Sequence, residues 1–351
     1  MTKRIAIMGC GALGGYVGGY LTRDGFDITM IDPWPDHVAA MRDPGLKLEG
    51  VTDEECFNVK CNTVLQSDLP APGDIDPFDI VFIAVKSYDT RAAAEFVKPY
   101  LAPDGGFAVS LQNGINEHLI ADVLGAERTV GCIASQISLS LPGPGNIQRK
   151  IKKGGDQHTV FRVGEMGGAV TPRVEEVAGM LSVIDSTLAT GNLMGERWSK
   201  LAANAMRNPV SAATQQGANT NDKDAHIRRI TIGLAAEAVR VARAEGADLV
   251  KIMGLSPDDL VGADEGDEAA SKTVLDKFHA DMARRKDSQR PSMAQDVEKG
   301  RPTEIDHING LIADRGKAHG IPTPLNDGIR AVIKAIEAGT VKPGPETLQG
   351  L

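Results

Sequence analysis

The chain has 351 residues, 42% of them hydrophobic and 24% charged, with a formal net charge of −9. Single cores stop growing at roughly 250–300 residues, so two domains are expected in a soluble globular protein. The acidic balance excludes a general nucleic-acid binder, which needs a Lys/Arg stripe to replace counterions. No apolar run approaches the roughly 18 residues of a membrane span, and the chain enters a strand within its first residues, so no membrane association and a cytoplasmic location are expected. Cys10, Cys56, Cys61 and Cys132 form neither a C-x-x-C pair nor a cluster with histidine. Free thiols and no metal site follow.

The first element is a short buried strand, Ile5 to Gly9, after which Gly9, Gly11 and Gly14 match G-x-G-x-x-G. A helix starts near Leu13. In such a strand-turn-helix unit the first glycine allows the tight turn, the second admits a pyrophosphate to the main chain, and the third lets helix and strand pack closely. The N–H groups at the helix start, around Ala12 and Leu13, face the phosphates. Gly25 ends the helix, Phe26 to Ile31 reads as a second strand, and Asp32 stands at its end, 18 positions after Gly14. An acid placed there accepts hydrogen bonds from a ribose.

Next come a helix in "PWPDHVAAMRD", and short strands in "LKLEGV" and "CFNVKCNTVL" that are expected to fill out the same sheet. Ile80 to Val85 is a third clear strand, "RAAAEFVKPYL" a helix, and "FAVSLQNG" a fourth strand. Strands alternating with helices call for a parallel sheet covered on both faces. Extended pieces then join through a turn at Pro142 to Gly145. From about Pro172 helical periodicity takes over, and a second, all-helical domain is expected from residue 191 to 351, after a dinucleotide-binding domain over 1–190. The acidic stretch "SPDDLVGADEGDEAAS" reads as a solvated loop.

Three groups of residues carry chemistry. In "WSKLAANAMRN" Lys200, Asn204 and Asn208 recur every four positions. On a helix they span about 80° of one face, flanked by alanines and Leu201. Asparagine is a poor choice for a plain surface helix, which favours a functional face. In "RPSMAQDVEKGRPTEID", Ser292 and Glu304 flank a helical turn ended by Gly300. Glu304 is equally explained as an early acid at a helix start capped by Thr303. Lys86 and Asn113 lie at strand ends, where open parallel sheets bind ligands, although each alone would pass for a surface lysine and a turn asparagine.

Together these stretches resemble the ketopantoate reductase family, in the opening "GCGALGG", the strand ends "AVK" and "QNG", "WSKLAANAMRNP", and "SMAQDVEKGRPTEIDHING". The resemblance runs nearly end to end. It implies an α/β fold, with an N-terminal Rossmann-type doubly wound sheet and a C-terminal all-helical domain. It also implies roles: Lys200 as general acid, Asn204, Asn208 and Ser292 holding the substrate, Glu304 binding its hydroxyl end, and Asn113 and Lys86 beside cofactor and substrate. The residue types suit hydride transfer to a 2-oxo acid, because an ammonium can stabilise and then protonate the oxygen on which charge grows.

Two departures stand out. The family's usual basic residue after the second strand, a partner for the 2′-phosphate of NADPH, is replaced by Asp32, Pro33 and Trp34. A carboxylate would repel that phosphate, so NAD(H) is expected in preference to NADP(H). Arg207 lies about 20° from Lys200 on the helical wheel, where it either snorkels to solvent or binds a second anionic or polar group of the substrate. The expected activity is 2-dehydropantoate 2-reductase, or a related dehydrogenase acting on another 2-hydroxy acid. A non-enzymatic NAD(H)-sensing protein is the contrasting class. The expected partner is a small 2-oxo or 2-hydroxy acid, and a homodimer is left open.

Overall fold

The computed structural model describes residues 3–285, 287 and 290–351. The chain divides into two compact units, Met1–Leu193 and Met194–Leu351.

The first unit is built on an eight-stranded sheet of β1 (Arg4–Met8), β2 (Asp27–Asp32), β5 (Asn62–Leu65), β6 (Ile80–Ile83), β7 (Phe107–Ser110), β8 (Thr129–Ala134), β11 (Phe161–Glu165) and β12 (Thr187–Ala189). The spatial order is β12-β11-β8-β7-β6-β1-β2-β5. All neighbours are parallel except β8 and β11. Strand order reverses between β2 and β6 on either side of β1, so the carboxyl end of β1 is the switch point where such sheets bind ligands.

Side-chain alternation divides each central strand between two cores. Ile5 and Ile7 of β1 join α1 (Ala12–Arg23) and α5 (Pro172–Ser182) on one face. Ala6 and Met8 join α3 (Thr90–Val97) and α4 (Glu117–Leu124) on the other. The unit also contains α2 (Pro35–Ala40).

The strands β3 (Leu46–Glu49) and β4 (Phe57–Val59) do not extend the main sheet as expected. With β9 (Leu139–Gly143) and β10 (Asn146–Arg149) they form a second sheet, in the order β4-β3-β10-β9. Its Leu46, Leu48 and Ile147 are buried in the same core as α1, which explains the separate sheet: their apolar faces cover the helix.

The second unit is helical: α6 (Leu193–Thr214, its first residue in the first unit), α7 (Ala218–Lys223), α8 (Ala225–Ala244), α9 (Pro257–Glu265), α10 (Glu268–Met282), α11 (Ser292–Glu298), α12 (Ile305–His319) and α13 (Pro324–Glu337). The acidic stretch expected as a loop is instead α9 and the start of α10. Ser256 and Asp259 form a capping box, Gly266 closes α9 in the left-handed conformation, and the Asp267 carboxylate accepts from Ala270 N–H to start α10. Its acids serve the fold as well: Arg240 pairs with Asp264 at 2.9 Å and Glu265 at 3.0 Å, and Arg243 with Asp258.

Candidate active site

The glycine turn follows β1. Gly9 has φ +91°, a conformation that excludes most side chains, and its N–H donates to Ile31 O at 2.9 Å. A Cβ on Gly14 would run into the Gly9 carbonyl oxygen and come within 2.9 Å of Ala84 Cβ, so helix and strand meet without room for a methyl group. At Gly11 the position is open, and a Cβ would meet nothing within 4 Å. Gly11 caps α1 without a side-chain bond, and the first turn, with Ala12 and Leu13, carries no acid. An anion approaching this helix start meets backbone donors and no acidic side chain of that turn, which fits a dinucleotide pyrophosphate.

Asp32 is buried beside the turn. Its Oδ2 accepts from Cys10 N–H at 2.7 Å and its Oδ1 from Trp34 N–H at 2.9 Å. His37, fully buried in α2, reaches the same turn. Its Nε2 lies 2.8 Å from Cys10 O, and its Nδ1 accepts from Gly145 N–H at 2.9 Å. Nothing in the sequence marked His37, which reads as one polar residue of a short helix.

Lys86 and Asn113 sit in the loops after β6 and β7, which are stapled together. Ser87 Oγ donates to Asn113 O at 3.1 Å, Gln112 Nε2 to Val85 O at 3.0 Å, and Asn116 Nδ2 to Asn113 O at 2.6 Å. The backbone at both positions is therefore fixed by neighbours, while Lys86 and Asn113 themselves remain partly exposed.

In the helical unit, α6 presents Lys200, Asn204, Arg207 and Asn208 as a half-buried stripe between the buried Leu201, Ala205 and Met206. Pro209 lies within this helix and has no N–H for the carbonyl four residues earlier. Asn309 of α12 supplies the missing donor, its Nδ2 lying 3.2 Å from Ala205 O and 2.9 Å from Asn326 Oδ1. Arg207 pairs with Asp222 of α7 and lies 4.4 Å from the Phe278 ring centroid. Arg285 takes the other oxygen of Asp222 at 2.6 Å. The Nε and Nη2 of Arg207 have no hydrogen-bond partner among the described residues.

Ser292 is exposed at the first position of α11. Glu304 is buried at the N-cap of α12 yet makes no capping bond with its side chain. Thr303 does this instead, accepting from Ile305 N–H at 3.2 Å. Burial holds the nearby His307 below the ordinary histidine value, against the upward pull of Glu304 and Asp306. Among the described residues no group of His, Cys, Asp or Glu is arranged to hold a metal ion, and no helix is long and apolar enough to cross a membrane.

The family described as "Ketopantoate reductase PanE/ApbA" matches residues 5–161, and its C-terminal counterpart matches residues 192–337. The chain belongs to the ketopantoate reductase family. It is 29% identical over 343 residues to the 2-dehydropantoate 2-reductase of Archaeoglobus fulgidus, covering 96% of this chain and 99% of the relative. A ketopantoate reductase structure from Ralstonia eutropha JMP134 superposes with a TM-score of 0.76 at 29% identity, over 96% of this chain and 99% of the other. D-mandelate dehydrogenase, solved with NADH and anilino(oxo)acetate, shares the fold with a TM-score of 0.77 at 22% identity, over 97% of this chain and all of that one.

As a ketopantoate reductase family member the chain is an NAD(P)-dependent oxidoreductase acting on CH–OH groups. The expected preference for NAD(H) over NADP(H) is overturned, because ketopantoate reductases are NADPH-dependent. In the structure Asp32 braces the turn, accepting from the N–H groups of Cys10 and Trp34.

Proposed function

We propose that this chain reduces the carbonyl of 2-dehydropantoate to the alcohol, with NADPH as the reductant. The observation that carries the reading is the α6 stripe, in which a lysine and two asparagines share one half-buried helix face with Arg207. NADPH, when bound, supplies the hydride. The turn at Gly9, Gly11 and Gly14, with the N–H groups of the first turn of α1, would hold its pyrophosphate, and Lys86 and Asn113 would border it.

Lys200 carries the proton. Its ammonium stabilises charge on the substrate oxygen and then protonates it. Asn204, Asn208 and Ser292 are neutral donors that orient the carboxylate, and Glu304 accepts a hydrogen bond from the substrate hydroxyl. The test is a panel of 2-oxo acids assayed by NADPH oxidation. 2-Dehydropantoate should give the highest kcat/KM, and another acid exceeding it by about tenfold, equivalent to 1.4 kcal/mol of transition-state binding, would replace the substrate while leaving the reaction class standing.

A further inference from the structure

The peptide joining Cys10 to Gly11 carries the N–H that opens helix α1, and its orientation is set by a residue outside the glycine motif. Its carbonyl, Cys10 O, lies 2.8 Å from His37 Nε2. Because Gly145 N–H can only donate, and donates to His37 Nδ1 at 2.9 Å, the ring proton resides on Nε2 and points at Cys10 O. In a planar trans peptide the C=O and N–H point in opposite directions. A carbonyl held toward His37 therefore sends the Gly11 N–H away from it, at the residue whose surroundings are open to a ligand.

The preceding peptide is held equally, through Cys10 N–H and Asp32 Oδ2 at 2.7 Å. His37 has no exposed surface, and the Trp34 ring stacks on it with centroids 5.4 Å apart.

We infer that His37 is a positioning residue of the cofactor site, which keeps the Cys10–Gly11 peptide turned so that the Gly11 N–H faces the pyrophosphate. Released from His37, this peptide can flip, and the negative end of its dipole would then face the phosphates. The anchor is remote in sequence: Gly145 stands in the turn between β9 and β10, so the second sheet braces the cofactor turn through one imidazole. The inference rests on the reading of this turn as the NADPH site.

Two substitutions separate the ring's two bonds. In His37→Gln the side-chain amide reaches Cys10 O and the Gly145 bond is lost. In His37→Asn the amide oxygen stands near the Nδ1 position, keeps Gly145 and leaves Cys10 O without its donor. Isothermal titration with NADPH should show a loss of about tenfold or more for His37→Asn and less than about threefold for His37→Gln, a split expected for one buried carbonyl deprived of its partner. kcat at saturating NADPH and substrate should be unchanged in both.

Equal losses in the two variants, or wild-type affinity in His37→Asn, would overturn the inference and leave His37 as a tether of the second sheet. Should His37→Asn not fold, His37→Leu, which fills much of the ring's space and makes neither bond, takes its place: affinity about tenfold below that of His37→Gln upholds the role, and equal affinity in the two overturns it. A wild-type chain that takes up no NADPH overturns the cofactor reading itself, and this inference with it.

Discussion

Two glycines three residues apart should respond to the same substitution in opposite ways. At Gly11 φ is −57°, on the negative side that L-residues occupy, and an alanine methyl meets no protein atom within 4 Å. Folding loses the glycine cap but gains from a stiffer unfolded chain, so Gly11→Ala should change stability by less than about 1 kcal/mol. At Gly14 the methyl runs into Gly9 O and approaches Ala84 Cβ to 2.9 Å, so β1 and α1 must separate. Overpacking of this kind costs about 1–3 kcal/mol. For a unit of 193 residues that is a fall of about 2–12 °C in Tm.

Cofactor binding should split the other way. The Gly11→Ala methyl occupies the space in which the pyrophosphate approaches the main chain, so NADPH affinity should fall by about tenfold or more in a protein that melts normally. Scanning calorimetry without cofactor and titration calorimetry with NADPH measure the two effects separately. A Gly11→Ala protein that binds NADPH like wild type would refute the pyrophosphate assignment, and a Gly14→Ala protein melting within about 1 °C of wild type would refute the packing argument.

Lys200→Ala should lower kcat by about 10²–10⁴-fold with little change in the Kd of NADPH, and wild-type turnover would remove Lys200 from the mechanism. Asp185→Asn breaks a fully buried ion pair, Arg149–Asp185 at 2.6 Å, and leaves the Arg149 cation uncompensated. Chemical denaturation should show a loss of about 3–5 kcal/mol, and a loss below about 1 kcal/mol in Asp185→Asn would contradict the assignment. Burial acts to raise the Glu165 pKa, but the two-pronged Arg173 contact at 2.7 Å and the Thr171 hydroxyl outweigh it and hold the carboxyl below the usual glutamate value. That stability is present above the unfolded pKa and is lost as pH falls through the lower folded one, so Arg173→Met should flatten the acid limb of a Tm-against-pH curve.

The strand-turn-helix start was legible because the positive φ at Gly9 and the close packing at Gly14 both demand glycine, and they demand it at fixed spacing. The α6 stripe was legible for a similar reason, since a repeat of four on a helix converts directly into one face. The second sheet was not legible. β3 pairs with β10, Lys47 opposite Asn146, and no local pattern announces a partner some hundred residues away. The acidic stretch after Ser256 misled because net charge and glycines suggest a loop, whereas its order, Ser256 three residues before Asp259 and glycine at the end, is that of a capped helix. Asp32 misled differently: an acid at the end of the second strand reads as a ribose ligand, whereas its bonds to the Cys10 and Trp34 N–H groups are made to the backbone, which no residue pattern displays.

The pairing of β3 with β10 also sets a timetable for synthesis. Leu46 and Leu48 leave the ribosome well before Ile147, the residue that completes the apolar patch beside α1. At about 5–20 residues per second the intervening stretch takes roughly 5–20 s, during which β3 has only β4 as a strand partner. A nascent chain arrested short of residue 146 should therefore remain open to protease around residues 46–49, and one arrested well past residue 149, with that strand clear of the exit tunnel, should be protected there.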